Sequence, residues 1–321
     1  MSTNTTDREI VISRLFNAPR ELVWAAWTDP KQLSIWMGPR GFSTTTHEID
    51  VRPGGVWRYM MHGPDGTDYP NKIVYIEVAR PERLVYDHMG DDESTADSAF
   101  HTTVTFEAQG SKTKLTMRSV FPSKEARDLV VEKYGAIEGG NQTLDRLGEH
   151  LAPIVGPELV IERLLNAPRA LVWKAWIEQE RLAQWWGPKG FALGVSKLEM
   201  KSGGIFLYNM RSPQGQEMWG RFVYRDVIPP KRLVFINSFS DPQGNITRAP
   251  FGGDFTHWPL EILNQINFTE EGGKTKLLMR GTPINATDEE RATFTAVKNN
   301  VQQGFNTTFD QLEEYLAKKG K

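Results

Sequence analysis

Apolar and polar residues alternate over 9–16, with β-branched positions, which predicts a strand. Asn17-Ala18-Pro19 then signals a helix start, with Asn17 as N-cap candidate and Pro19 just inside, and the helix runs over 21–28. Leu22, Trp24, Ala25 and Trp27 leave that helix too few polar positions to lie exposed, so these tryptophans are expected in the core. Asp29-Pro30 stops it and starts a second short helix through Trp36, before a turn at Gly38-Pro39-Arg40-Gly41. Strands are predicted at 55–61, 72–78, 83–88, 102–108 and 114–120, the first two joined by a turn at Pro64-Asp65-Gly66. On the first of these, the period of two puts Trp57, Tyr59 and Met61 on one face and Arg58, Met60 and His62 on the other. Residues 124–151 carry Leu129, Val130, Ile137, Leu144, Leu147 and Leu151 near helical spacing, which predicts one long helix. A curved antiparallel sheet wrapped around a long C-terminal helix is an α+β arrangement that can enclose a cavity.

The pattern then repeats. ISRLFNAPR at 12–20 returns as IERLLNAPR at 161–169. Trp24, Trp27, Trp36, Gly38, Pro39, Gly41 and Phe42 recur as Trp173, Trp176, Trp185, Gly187, Pro188, Gly190 and Phe191. Lys112-Thr113-Lys114-Leu115 returns as Lys274-Thr275-Lys276-Leu277 at a wider spacing, so the second copy has gained residues between its middle strands. Repeats of this length are whole domains, not solenoid units. The expected bounds are 1–152 and 157–321, with an inserted aromatic loop at about 238–258. The short, Pro- and Gly-punctuated junction predicts an intramolecular pseudo-dimer with approximate two-fold symmetry.

Thirty-eight Lys and Arg against 40 Asp and Glu give a net charge of −2, which offers no broad basic surface for nucleic acid. The absence of cysteine removes disulfides, thiolate metal sites and thiol nucleophiles. No apolar run approaches the roughly 18 residues of a membrane span. The polar N-terminal stretch MSTNTTDREI lacks a signal-peptide core, so a cytoplasmic location is expected. None of the six histidines has a metal-binding spacing, and no G-x-S-x-G, P-loop or G-x-G-x-x-G motif is present. No cofactor, metal or catalytic residue is therefore nominated.

The candidate ligand-binding residues follow from strand phase and the repeat. Trp57, Tyr59 and Met61, with their counterparts Phe206, Tyr208 and Met210, form the aromatic face that a cavity wall needs. Trp36 and Trp185 precede the Gly-Pro turns and are expected at the pocket mouth, with Trp186 extending that patch. His88 and His101 lie where strand phase could turn them inward, and Tyr75 and Tyr134 complete the first-copy set. The second copy differs at Trp219 and Asn237, which replace Pro70 and His88, and adds Trp258 in a loop with Phe239, Phe251 and Phe255 that reads either as a lid or as a structural flap. Gly135, Gly139 and Gly140 break helical propensity and are expected to leave room for a ligand or to bend the helix. Asn299, Asn300 and Gly304 stand in their place in the second copy and predict a cavity of different polarity.

Asn-Ala-Pro-Arg, Trp-x-x-Trp and Trp36-Met37-Gly38-Pro39-Arg40-Gly41-Phe42, with the helix phrase from Tyr134 to Leu147, resemble the START-like helix-grip superfamily (SRPBCC). The branch they are most similar to is the one related to the activator of the heat-shock-protein-90 ATPase, and the resemblance covers nearly the whole chain twice. It implies two tandem helix-grip domains, each able to hold a small apolar or amphipathic molecule between sheet and terminal helix. It also implies a chaperone as an alternative partner in a stress response, or cyclase or dehydratase chemistry. The lack of a coherent catalytic constellation favours binding without turnover.

Overall fold

The computed structural model describes residues 5–90 and 99–319. The chain divides into two compact units, Met1–Val155 and Gly156–Lys321. No helix among the described residues is long and apolar enough to cross a membrane.

In the first unit, β1 (Glu9–Phe16) leads into α1 (Arg20–Thr28) and α2 (Pro30–Trp36). Six strands follow: β2 (Ser43–Ile49), β3 (Val56–His62), β4 (Asp68–Ala79), β5 (Arg83–Gly90), β6 (Phe100–Gln109) and β7 (Lys112–Val120). The helices α3 (Lys124–Tyr134) and α4 (Ala136–Val155) close the unit. The strands make one antiparallel sheet in the order β1-β7-β6-β5-β4-β3-β2. Alternate residues of that sheet, among them Trp57, Ile73, Leu84, Val104 and Leu115, are buried in one cluster with Leu144, Leu147 and Leu151 of α4 and with the α1 tryptophans.

The second unit repeats the plan with β8 (Leu159–Leu165), α5 (Arg169–Ile177), α6 (Gln179–Leu182), β9 (Ala192–Leu198), β10 (Ile205–Arg211), β11 (Glu217–Ile228), β12 (Arg232–Phe239), β13 (Ile262–Glu271), β14 (Lys274–Pro283) and α7 (Asp288–Lys319). Its sheet order, β8-β14-β13-β12-β11-β10-β9, is that of the first. The repetition reaches single hydrogen bonds. Trp36 Nε1 donates to the Ala26 carbonyl at 3.0 Å and Trp185 Nε1 to the Ala175 carbonyl at 3.0 Å. The buried Thr113 hydroxyl donates to the Ala18 carbonyl at 2.7 Å, and Thr275 to Ala167 at 2.7 Å.

Three local expectations are corrected. The N-cap position of α1 is Pro19, not Asn17, and no side chain caps it, because the proline itself sets the extended entry. β2 was not anticipated, since its sequence STTTHEI carries too few apolar residues to show alternation. The helix expected over 124–151 is two helices: Gly135 adopts φ 61°, and its amide closes α3 on the Val130 and Val131 carbonyls. The nearby glycine at 140 has a different use, since a Cβ there would collide with Ile12 Cδ1. These glycines end one helix and let the next lie close on β1, rather than leaving space for a ligand.

The terminal helix of each unit is tied to the Gly-Pro turn. Arg146 of α4, 8% exposed, donates to the carbonyls of Ile35 at 3.0 Å, Gly38 at 2.9 Å, Pro39 at 3.1 Å and Phe42 at 3.1 Å. Arg40 of the same turn pairs with Glu149 at 2.7 Å, with both side chains largely buried. In the second unit Gln311 Nε2 donates to the Gly187 carbonyl at 2.7 Å and the Thr308 hydroxyl donates to it at 3.2 Å. Arg146→Met keeps the length of the side chain but leaves these carbonyls without their donor. It is expected to cost about 1.5–3 kcal/mol, the range for hydrogen bonds to a charged group. Urea unfolding of the full chain should show the loss in the first unit's transition, and an unchanged midpoint would refute the tie.

Candidate ligand-binding cavity

The second unit has a partly open cavity of about 200 Å³ between sheet, terminal helix and the β12–β13 connection, residues 240–261. The sheet contributes Tyr208, Met218, Gly220, Asn237, Phe239, Ile262 and Asn264, and α7 contributes Phe294, Val301 and Phe305. The connection contributes Phe251, Phe255 and Trp258, and Leu159, Trp219 and Ser238 complete the lining. Half of these residues are aromatic and none is charged. A curved sheet closed by a terminal helix is a scaffold for binding ligands.

Tyr208 is placed by a glycine. It pairs with Gly220 across the β10–β11 ladder, and a Cβ on Gly220 would lie 2.6 Å from the phenol carbon and oxygen. Only glycine lets the ring lie across β11 here. Burial pushes the Tyr208 phenol above its ordinary pKa, and the polar groups of the neighbouring Trp186 and Asn237 pull it only partly back. The hydroxyl therefore stays protonated at neutral pH. Asn264 is 3% exposed and its Nδ2 donates to the Ile262 carbonyl at 3.1 Å. Tyr208, Asn237, Ser238 and Asn264 are thus the polar members of an otherwise apolar wall.

The inserted connection folds over this wall as a chain of rings. Centroids are 5.7 Å apart for Phe239–Phe251, 5.9 Å for Phe251–Phe255, 5.7 Å for Phe255–Trp258 and 5.4 Å for Trp258–Phe294. Arg248 latches it to the start of α7 through an ion pair with Glu290. Glu290 also accepts the Thr287 N–H at 2.9 Å, while its own N–H donates to the Thr287 hydroxyl at 3.2 Å, a capping box. Burial alone would raise the Glu290 carboxyl; the Thr287 amide and Arg248 outweigh it and hold the group below its usual value. His257 adds a second contact to the helix start, 3.3 Å from Glu289.

Of the residues nominated from sequence, Tyr208, Trp219, Asn237 and Trp258 line the cavity. Phe206 and Met210 are buried in the core beside it. Trp36 and Trp185 are each 1% exposed and belong to the core, not to a pocket mouth, because their indole N–H groups reach back to the preceding helix. Trp186 is core as well. In the first unit Trp57, Tyr59 and Tyr75 are buried and Met61 packs at the margin of the same cluster. His101 faces outward, 2.9 Å from Asp87, because the neighbouring Thr102 takes the inward phase. Tyr134, at the end of α3, is 60% exposed under Lys133. Asn299 and Asn300 lie exposed on α7 and do not set the cavity's polarity. Gly220, Ile262, Asn264, Phe294 and Phe305 were missed, although Phe294, Val301 and Phe305 recur at helical spacing and mark one face of α7.

His88 is turned inward on β5, with Nε2 3.2 Å from the Tyr59 hydroxyl and its ring stacked on Phe100 at 4.6 Å. Burial pulls its pKa down from 6.5 to about 4. Between those values the unfolded chain binds a proton that the folded unit refuses, so stability falls as the pH drops from 6.5 towards 4. His88→Gln should flatten that part of the first unit's stability profile, measured by urea unfolding across the window; an unaltered slope would contradict the assignment.

Residues 17–152 and 166–317 each match the family described as activator of Hsp90 ATPase homolog 1-like protein. No curated protein matches the chain. Protein Ms6760 of Mycobacterium smegmatis is 27% identical over 47% of this chain and 95% of its own, with a TM-score of 0.43. A protein of Arthrobacter aurescens is 29% identical over 47% of this chain and 90% of its own, with a TM-score of 0.44. The di-domain ARO/CYC BexL from the BE-7585A biosynthetic pathway is 13% identical and covers 96% of this chain and 98% of its own, with a TM-score of 0.45. With a match in each of its two units, the chain belongs to the activator of Hsp90 ATPase homolog 1-like family, as a tandem duplication of the helix-grip domain.

Proposed function

We propose that the second unit binds a small neutral molecule of one or two rings carrying a hydrogen-bonding group. The observation that carries this reading is the aromatic-lined cavity of about 200 Å³, with a protonated Tyr208 and two carboxamides in its wall. An engineered cavity of about 150 Å³ takes up benzene, so the volume suits a slightly larger ring system. The lining offers no charged side chain to pair with an ion, and an unpaired charge would meet a large desolvation cost there. The family description points to a chaperone ATPase; that reading has family membership alone as its support.

The test is calorimetric titration of the full chain with 2-naphthol and with naphthalene. The cavity should bind both, and Tyr208→Phe should weaken 2-naphthol by about 0.5–1.5 kcal/mol, one neutral hydrogen bond, with naphthalene unchanged. Equal effects on the two probes would show that the phenol does not contact the polar group. Arg248→Met should release the flap: 2-naphthol should dissociate faster, and protease should cut within 240–261 sooner than in the native chain. Unchanged dissociation and cleavage would refute the latch.

A further inference from the structure

The two units treat the same place in the fold in opposite ways. In the first, a ladder of rings crosses the inner face of the sheet: Tyr59 to His88 at 3.2 Å, His88 stacked on Phe100 at 4.6 Å, and Phe100 on Phe121 at 4.8 Å. Strand register fixes the equivalents. His88 pairs with Phe100 across β5–β6, and Asn237 pairs with Ile262 across β12–β13. Ile262 in turn pairs with Pro283, which stands where the first unit has Phe121. The ladder Tyr-His-Phe-Phe has become Tyr-Asn-Ile-Pro. Tyr208, Asn237 and Ile262 are cavity residues.

The helix side changes in the same sense. The phrases Tyr134–Leu147 and Asn299–Leu312 align, so Phe305 stands where the first unit has Gly140. Gly140 admits Ile12 into the place of its missing Cβ and seats α4 directly on β1. Phe305 instead presents a ring to the cavity. The second unit thus has its cavity, with smaller side chains on the sheet and a larger one on the helix, where the first unit carries its own ring ladder.

We propose that ligand binding in this chain is confined to the second unit, and that the exchange of His88 and Phe100 for Asn237 and Ile262 is what creates the site. The inference rests on the reading of the cavity as a ligand site. The first unit then serves as a filled copy of the same fold, and its ring ladder does for stability what the bound molecule does in the second.

Calorimetric titration of the full chain with 2-naphthol gives the stoichiometry. One equivalent per chain is expected. Asn237→His with Ile262→Phe rebuilds the ladder in the second unit and should weaken binding at least tenfold while urea unfolding still shows a folded second unit. Where the double variant does not fold, Ile262→Phe alone carries the test, again with at least a tenfold loss expected. Two equivalents in the native chain, or filled variants that fold and bind as the native chain does, would overturn the inference and leave the cavity reading standing. No binding by the native chain would overturn the cavity reading, and this inference with it.

Discussion

Each unit depends on where its terminal helix is held. An antiparallel sheet with one apolar face must be covered, and here the tryptophan-bearing helix that opens each unit shares the covering with the terminal helix. Burial alone is non-directional and would let that helix slide. Arg146 removes the freedom in the first unit by satisfying four carbonyls of the α2–β2 turn from within the core. Gln311 and Thr308 do so in the second by converging on the Gly187 carbonyl. In the second unit the tie holds the later turns of α7, at Thr308 and Gln311, while the cavity is lined by earlier ones, at Phe294, Val301 and Phe305.

Duplication lets the two copies differ. One copy carries the ring ladder of His88, Phe100 and Phe121 on its inner face, with the helix seated on Gly140. The other exchanges bulk for an amide and an aliphatic side chain, and covers the opening with an insertion whose rings continue into Phe294. The cover is fastened where a charge is already at work: Glu290 caps α7 and accepts Arg248 with the same carboxylate. Folding of the helix start and closure of the flap are thereby coupled.

Most of the fold was legible because the repeated residues act locally. Gly-Pro turns, Asp29-Pro30 and paired tryptophans announce element ends and core contacts wherever they occur. β2 was hidden because STTTHEI shows its partner only through pairing with β3. The break at Gly135 was hidden because glycine within an apolar helical pattern can bend, pack or terminate, and only the backbone decides. The site was half legible. Tyr208, Asn237 and Trp258 stood out by phase and by comparison of the copies, whereas Gly220 and Ile262 matter for what they lack, and a small residue carries no signal until its neighbour is known. Trp36 and Trp185 misled because a tryptophan beside a turn looks accessible until its N–H finds a carbonyl in the preceding helix.

The central claim is that the space between β12, β13, the flap and α7 is where a small molecule binds. Amide hydrogen exchange of the full chain, with and without saturating 2-naphthol, tests it directly, because bound ligand suppresses local opening. The account predicts slower exchange in Arg232–Phe239, in residues 240–261 and in the first turns of Asp288–Lys319, with the first unit unchanged. Protection centred on Arg83–Gly90 and Phe100–Gln109 of the first unit, or none anywhere, would contradict it.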